Sequence, residues 1–473
     1  MNKDIKKKLL NEFTNFKNKL NGQKASRIHH IREDAFQVFN SLCLPTMKQE
    51  EWRFTNVGFL NKFDFNLIYE DPDEYLTADD IEPFTIKDLN ENLLVFVNGV
   101  YSEKLSRIKY PRDEIIIESF ADAEKRNAPN LIKHFSQLAD YKNDFFNAMN
   151  TAFARDGVYI NVPGGVFIDE PIHVMFISDT RQGAVMSHPR NMFLVGKCSQ
   201  MRVVETYHTI GSNPAFTNMV TEIVMNFATN FEFNKIQNDK GNSYYIGTTE
   251  VKQAKNSSFN SSTVSLSGKF IRNNLNSVFT EENAEANLNG FYFMRGDDFV
   301  DNHTLIDHAV PHCNSNEFYK GILDDNARAV FSGKVLVRPD AQKTNAFQTN
   351  RNILLTDNAK INTKPQLEIY ADDVKCSHGA TTGYLDKESM FYLRSRGIGE
   401  DMAKSLLLNA FASEIIEKIS SSTSSGSTGS GSIASGLRDD IKRQVADRLS
   451  VDDIYFCDVL GDIFEQAEKN IDK

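Results

Sequence analysis

Hydrophobic residues at the start of the chain recur with the 3.6-residue period of an α-helix. The first such stretch runs from Asp4 to Leu20, the second from Arg27 to Leu42, and Leu131 to Phe153 adds a third. The apolar positions of the first two are Ile5, Leu9, Phe13, Phe16 and Leu20, then Ile28, Ile31, Ala35, Val38 and Leu42. We therefore predict that residues 1–150 form a mostly helical N-terminal domain.

From about Gly157 the helical period gives way to short apolar runs separated by Asn, Asp and Gly. Examples are VYINV, HVMFI, MFLVG, FEFNKI, TVSLSG and AVFSGKVLV, and the texture persists over roughly 200 residues. Short apolar runs bounded by turn-forming residues are typical of β-strands. The pattern predicts a large β domain over residues 151–384.

The later part of this region repeats itself. Four segments set an acidic or Asn turn before a small apolar residue and then a long polar one: DNAR from Asp325, PDAQ from Pro339, DNAK from Asp357 and DDVK from Asp372. The small residues fall at 327, 341, 359 and 374, so the intervals are 14, 18 and 15 residues. Such intervals favour the coils of a parallel β-helix, with a sandwich or jelly roll as the alternative.

The chain returns to helical periodicity after Gly397, so we predict a C-terminal helical domain over residues 385–473. Glu400 to Ile419 places one apolar stripe on a helix, with Leu408 and Ile416 outside it. The stripe includes Ala403, Leu407, Ala410, Phe411 and Ile415. A Ser/Gly-rich segment at residues 420–432 reads as a flexible linker. Leu437 to Leu449 then resumes the period, and 452–471 suggests a last helix.

Composition narrows the function classes. The net charge of -11 argues against a protein whose main partner is nucleic acid, and no apolar run is long enough to span a membrane. The lysine-rich start contains Asp4 and Glu12 and lacks an apolar core, so neither a signal peptide nor a transit peptide is expected. The five scattered cysteines contain no CxxC, which argues against a disulfide framework. We expect a cytoplasmic protein with reduced thiols.

Three groups of residues suggest chemistry, and each has a structural interpretation as well. The first is His303, His308, His312 and Cys313, whose spacing suits metal ligands, although on a β-helix the side chains need not converge. The second is the acidic pairs Asp297-Asp298 and Asp372-Asp373. Paired carboxylates serve polysaccharide-cleaving enzymes, but Asp-Asp is also an ordinary start of a turn.

The third candidate is the segment Cys376-Ser377-His378. Val374, Cys376 and His378 share one parity, so on a strand a thiol and an imidazole point to the same side, and both bind soft or borderline metals. The structural interpretation is that they continue a core face begun by Val374. This strand lies immediately before the C-terminal helices, so on a β-helix it would belong to the last coil, whose open end needs a covering element.

Several blocks resemble the SufB/SufD family of the Suf iron-sulfur cluster assembly system. They are PTMKQEEWRFT at Pro45 to Thr55, NHTLIDHAVPHCNSNEFYKG at Asn302 to Gly321, VFSGKVLV at Val330 to Val337, and LEIYADDVKCSHGATTG from Leu367, followed by FYLRSRGI. Gly379 after the histidine is similar to SufD-type members, where SufB-type chains tend to carry Glu. The resemblance covers most of the chain, although the Ser/Gly-rich segment departs from the family.

The resemblance implies a mainly β fold, a right-handed parallel β-helix flanked by helical N- and C-terminal domains. It implies a non-catalytic scaffold that pairs with a SufB-like subunit through the β-helix and binds the SufC ATPase through C-terminal helices. ATP hydrolysis would belong to SufC. The scaffold would support cluster assembly and iron acquisition.

Residue roles follow from the same resemblance. His378 would be a ligand of iron or of the nascent iron-sulfur cluster at the SufB interface, with Cys376 a weaker candidate. The stripe Ala403, Leu407, Ala410, Phe411 and Ile415 is the predicted contact with SufC. No tightly bound cofactor is expected in the isolated chain, which is also a candidate homodimer. The alternative classes are a β-helix carbohydrate-active enzyme using the Asp pairs and a purely structural adaptor.

Overall fold

Two sheets of stacked strands run through most of the chain, which the computed structural model describes at residues 5–20, 26–86, 89, 91–111, 114–421 and 431–449. The strands are β1 (Asn66–Leu67), β2 (Leu93–Val97), β3 (Val100–Arg107), β4 (Ile116–Ser119), β5 (Val158–Val162), β6 (Ile172–Asp179), β7 (Val185–Ser187), β8 (Arg190–Val195), β9 (Gln200–Ile210), β10 (Ala215–Met225), β11 (Asn230–Asn238), β12 (Ser243–Gln253), β13 (Ser258–Ser267), β14 (Phe270–Phe279), β15 (Glu285–Met294), β16 (Phe299–His308), β17 (Asn314–Leu323), β18 (Arg328–Val337), β19 (Asn345–Leu354), β20 (Lys360–Ile369) and β21 (Lys375–Gly383). The helices are α1 (Ile5–Lys19), α2 (Arg27–Ser41), α3 (Ala78–Ile81), α4 (Phe120–Lys125), α5 (Pro129–His134), α6 (Phe145–Phe153), α7 (Lys387–Ser395), α8 (Glu400–Ser421) and α9 (Gly431–Leu449).

The strands form a parallel β-helix. Sheet A has the order β20-β18-β16-β14-β12-β10-β8-β5-β4, and sheet B has the order β21-β19-β17-β15-β13-β11-β9-β6-β2-β3. Each late coil therefore contributes one strand to each sheet. The register joins Arg328 to Lys360 in sheet A and Asn345 to Lys375 in sheet B. The mainly β, parallel β-helix prediction is confirmed.

The repeat seen in the sequence marks the corners of these coils. Ala327, Ala341 and Ala359 are buried and lie shortly before β18, β19 and β20. A spacing of 14 to 18 residues is thus one side of a coil, not a whole coil. A left-handed backbone conformation at a non-glycine residue recurs every 27 to 31 residues, which is the length of a whole coil. The residues are Cys198, Ala228, Asn256, Asn283, His312 and Lys343.

The N-terminal helices pack on the outer face of sheet A. The apolar face of α1 follows the predicted stripe, with Ile5, Leu9, Phe13 and Phe16 buried. They join a cluster with α2, α6 and the outward-facing Phe216, Ile246 and Phe270 of sheet A. In α2 the buried face runs through Ala35 and Phe39 and also holds Arg32, whose guanidinium forms a two-pronged ion pair with Glu124. Strands β2 to β4, which precede residue 150, extend the two sheets.

The C-terminal helices pack on sheet B. Helix α8 contacts β15, β17 and α9, and the buried face of α8 consists of Leu408, Ala412, Ile415 and Ile416. The core side therefore passes through Leu408 and Ile416, the two residues that the sequence pattern placed outside the stripe. The predicted linker falls mostly on residues 422–430, outside the described residues, as does the predicted helix at 452–471. Within the described ranges, no helix has the length and apolarity needed to cross a bilayer.

Candidate functional site

The last coil of the β-helix has two open strand edges. Within the described part of the chain, β20 pairs only with β18, and β21 pairs only with β19. Every other residue of each strand therefore directs backbone N–H and C=O groups along the helix axis towards solvent. An open edge of this length is a template for pairing with a strand from another chain.

His378 lies on this last coil and points towards the interior of the β-helix. In the register of β21 with β19, Cys376 is opposite Ala346 and His378 is opposite Gln348. Ala346 and Gln348 are buried, and Cys376 packs against the small apolar cluster that contains Ala346. Since residues two apart on a strand share a face, His378 points the same way. It is nevertheless exposed, because within the described residues no further coil lies above it.

The two candidate ligands differ in their electrostatic setting. Cys376 is half-buried, and burial raises the pKa of its thiol, so it is protonated near neutral pH and is not by itself a thiolate ligand. Among the described residues, no three His, Cys, Asp or Glu side chains come together as a metal site. An iron ion or cluster at His378 would therefore need further ligands from another molecule.

The histidines and cysteine between residues 303 and 313 do not converge. His303 is on the outer face of sheet A, with Nε2 3.0 Å from a carboxylate oxygen of Asp301. His308 is on the inner face, with Nε2 2.8 Å from the hydroxyl of Ser315. His312 occupies an exposed left-handed corner, and Cys313 is buried in the apolar core. The structural interpretation holds for this group.

The Asp pairs also lie at corners and do not meet. Asp297 is exposed, whereas Asp298 is buried and has Lys269 and Arg448 within 3.5 and 3.7 Å. Asp372 and Asp373 are exposed in the corner before β21. The two pairs belong to different coils and form no facing pair of carboxyl groups, and the carbohydrate-active enzyme is not favoured.

The segment around Trp52 ties the N-terminal region to sheet A. Trp52 is buried, and its ring lies 3.9 Å from the guanidinium of Arg272 on β14. Arg272 also donates to the carboxylate of Asp301 on β16, to which the hydroxyl of Thr55 donates as well. Burial is the largest single influence on Asp301 and opposes its ionisation, but Arg272, His303 and the Thr55 hydroxyl together outweigh burial and lower the pKa of Asp301 to about 2. This motif has a structural role in the chain.

The predicted partner stripe on α8 is only partly accessible. Ala403 and Ile415 are fully buried within the chain, so they are not available to a partner in this arrangement. Leu407, Ala410 and Phe411 are half-buried. The most exposed apolar side chain in this part of the molecule is Phe391 on α7, at 76%. The prediction that these helices contact a partner remains a prediction.

Sequence reasoning missed the residues beneath His378. Gln348 and Glu317, one and two coils below, are buried on the inner face, and the amide of Gln348 donates to the carboxylate of Glu317. Their position next to His378 follows from strand register, which the sequence does not give. The only signal was strand parity, which Gln348 shares with Ala346 and Glu317 with Ser315.

Comparison with known proteins agrees with this architecture. Residues 176–411 match the family model described as "SUF system FeS cluster assembly, SufBD core domain", and residues 3–174 match "SufBD protein N-terminal region". An iron-sulfur cluster assembly SufBD family protein of Synechocystis is 34% identical over 85% of this chain and 89% of its own length. The iron-sulfur cluster assembly protein SufD of Escherichia coli is 29% identical over 80% and 85%, and SufD of Bacillus subtilis is 22% identical over 84% and 91%.

These matches span both the helical N-terminal region and the β-helix, and the Synechocystis relative alone covers most of both chains. The chain therefore belongs to the SufBD family of iron-sulfur cluster assembly proteins, and it is similar to the SufD members of that family.

Proposed function

We propose that this chain is a non-catalytic scaffold subunit that pairs with a SufB-like subunit and a SufC-type ATPase in the cytoplasm. The observation that supports this most is the open last coil. In the described part of the chain, β20 and β21 each have one edge without a paired strand, and His378 lies exposed on the inner face of this coil. A partner coil stacked on these edges would extend both sheets and enclose His378 at the junction. Membership of the SufBD family links this surface to iron-sulfur cluster assembly.

In this arrangement His378 provides one ligand for the cargo, which is iron or a nascent iron-sulfur cluster. Neutral imidazole is a competent iron ligand, and a thiolate from the partner would share the metal with it. Cys376 contributes packing, because its thiol is half-buried against the apolar cluster of the last coil. The cargo is bound transiently and only in the complex.

The ATPase subunit is proposed to dock on the outward side of α7 and α8. Phe391 and the half-buried Leu407 supply the apolar surface there. The opposite side of α8 is already occupied by sheet B, so this helix pair would transmit movement of an attached ATPase to the β-helix.

The test is His378→Ala in the reconstituted complex. We expect the three subunits to assemble normally, because one imidazole is a small part of such an interface, and cluster formation, followed by visible absorption, to fall at least tenfold. The matched control is Thr382→Ala, which changes an exposed residue on the same face of the same strand. An assembled His378→Ala complex that forms clusters at the normal rate would refute the ligand role.

A further inference from the structure

The side chain directly beneath His378 is held in one orientation from below. Gln348 is 1% exposed, and its Nε2 donates to Oε2 of Glu317, its register partner one coil further down. The same carboxylate oxygen accepts a hydrogen bond from the hydroxyl of Thr304, at 3.1 Å. Glu317 and Thr304 thus form a buried polar layer that fixes the nitrogen end of the amide.

Gly333 of the VFSGKVLV block makes the space that this amide occupies. A Cβ at this position would lie 2.1 Å from Nε2 and 2.8 Å from Cδ of Gln348. A side chain at position 333 would therefore displace the amide of Gln348. The glycine is therefore required by a close approach from the opposite sheet and not by its own backbone conformation.

The oxygen end of the same amide has no partner among the residues that the structure describes. Oε1 of Gln348 is buried, and none of those residues donates a hydrogen bond to it. A buried acceptor without a donor costs about 1 to 3 kcal/mol, so its retention calls for an explanation. The next side chain along this ladder is His378, which is opposite Gln348 in the register.

The strand register brings the side chains of Gln348 and His378 next to each other. Neighbouring strands lie about 4.8 Å apart, so two inward-facing side chains in register approach each other closely. We propose that Gln348 is a positioning residue, whose Oε1 accepts the N–H of one ring nitrogen of His378 when a partner coil covers the last coil. This leaves the other nitrogen unprotonated and directed at the metal. The inference rests on the proposed ligand role of His378.

A second-sphere acceptor of this kind fixes the tautomer and the orientation of a metal-binding imidazole, and its loss typically weakens metal affinity about 10- to 100-fold. The test is Gln348→Met, which keeps the length of the side chain and removes the acceptor. In the assembled complex, titrated with Co²⁺ alone, we expect affinity about tenfold lower than in the wild type. The matched control is Gln366→Met on the outer face of β20, whose amide donates to Glu368.

Three comparisons make this test specific. First, the double variant Gln348→Met/His378→Ala should bind Co²⁺ no more weakly than His378→Ala, because Gln348 acts through His378. Second, the ¹⁵N shifts of the His378 ring should change from one tautomer to a mixture in Gln348→Met. Third, Gly333→Ala should lower Co²⁺ affinity in the same direction by displacing the amide.

If Gln348→Met assembles poorly, the exchange Glu317→Gln/Gln348→Glu provides a second test. It keeps a hydrogen-bond acceptor beneath His378, so the complex should bind Co²⁺ with the affinity of the wild type. If His378→Ala lowers Co²⁺ affinity while Gln348→Met and Gly333→Ala bind as the wild type does, the positioning role is wrong and the proposed function stands. If His378→Ala itself has no effect on Co²⁺ binding or cluster formation, the ligand role fails and the positioning role fails with it.

Discussion

At the scale of single residues, Glu317 is a carboxyl group inside the β-helix that has no cationic partner among the described residues. It is fully buried and accepts hydrogen bonds from Gln348 and Thr304. Burial raises its pKa from 4.5 to about 7, although both hydrogen bonds act in the opposite direction. Because the folded chain holds this proton more tightly, stability falls as the pH rises from 4.5 to 7, and the full cost applies above pH 7.

We therefore predict that Glu317→Gln stabilises the protein above pH 7, by up to about 3 kcal/mol, and has no such effect near pH 4.5. The amide keeps an acceptor for Gln348 and removes the cost of a buried charge. Urea unfolding at pH 4.5 and pH 8 measures the difference. A gain of equal size at both pH values would mean that the effect does not come from ionisation of Glu317.

The limits of sequence reasoning are clearest at this scale. The parity of Cys376 and His378 was readable from the strand pattern, and so was the corner repeat at Ala327, Ala341 and Ala359. The pairing of Gln348 with His378 depends on how coils stack across 30 residues, and the contact of Gly333 with Gln348 depends on how the two sides of one coil face each other. Single-sequence periodicity carries no information on that register.

A buried network shows the same limit. Lys235 donates to the hydroxyl of Tyr245, and Tyr207 donates to Glu205, all inside the β-helix. In the sequence these residues look like ordinary polar positions of solvent-facing strands. They lie in the interior because the two sheets of the β-helix enclose them, and buried polar groups there need hydrogen-bond partners from one another.

At the scale of elements, the outcome for α8 has a physical reason. Its apolar residues cover more than one side of the helix, so the sequence pattern could not tell which side faces the chain's own core. The structure assigns Leu408, Ala412, Ile415 and Ile416 to sheet B. A deletion of residues 400–473 would expose that surface, so point variants give a cleaner test of partner binding.

Two exposed aromatic residues on different elements provide such a test. Phe391 on α7 is 76% exposed, and Tyr370, just after β20, is 63% exposed. We predict that Phe391→Ala weakens co-purification of the SufC-type ATPase at least fivefold and leaves the SufB-like subunit bound. Tyr370→Ala should do the reverse, because it lies beside the open edge of the last coil.

Each variant is the control for the other, since both remove a solvent-facing aromatic ring and neither opens the core. The measurement is the amount of each subunit retained on a tagged form of this chain. Loss of both partners in either variant would show that the two surfaces are not separate.

At the scale of the whole molecule, buried neutral histidines make folding sensitive to acid. His173 and His308 are 0% exposed and His188 is 5% exposed. Burial lowers the pKa of His173 to about 4 and those of His188 and His308 to about 3. The unfolded chain takes up these protons near pH 6.5, so each histidine reduces stability as the pH falls from about 6.5 towards its folded pKa.

His188 gives the sharpest test of this effect, because neither of its ring nitrogens forms a hydrogen bond with any residue that the structure describes. It packs between the N-terminal helices and the β-helix, with its ring 5.6 Å from that of Phe153. We predict that His188→Leu loses less stability than the wild type between pH 7 and pH 5, by about 2 kcal/mol, since each pKa unit left untitrated corresponds to about 1.4 kcal/mol.

Differential comparison is needed because Glu317 shifts stability in the opposite direction over the same range. The matched control is His30→Leu, which replaces an exposed histidine on α2. Chemical unfolding at pH 7, 6 and 5 gives the three curves, and a His188→Leu curve parallel to that of the wild type would show that proton uptake at this site does not limit the acid stability of the fold.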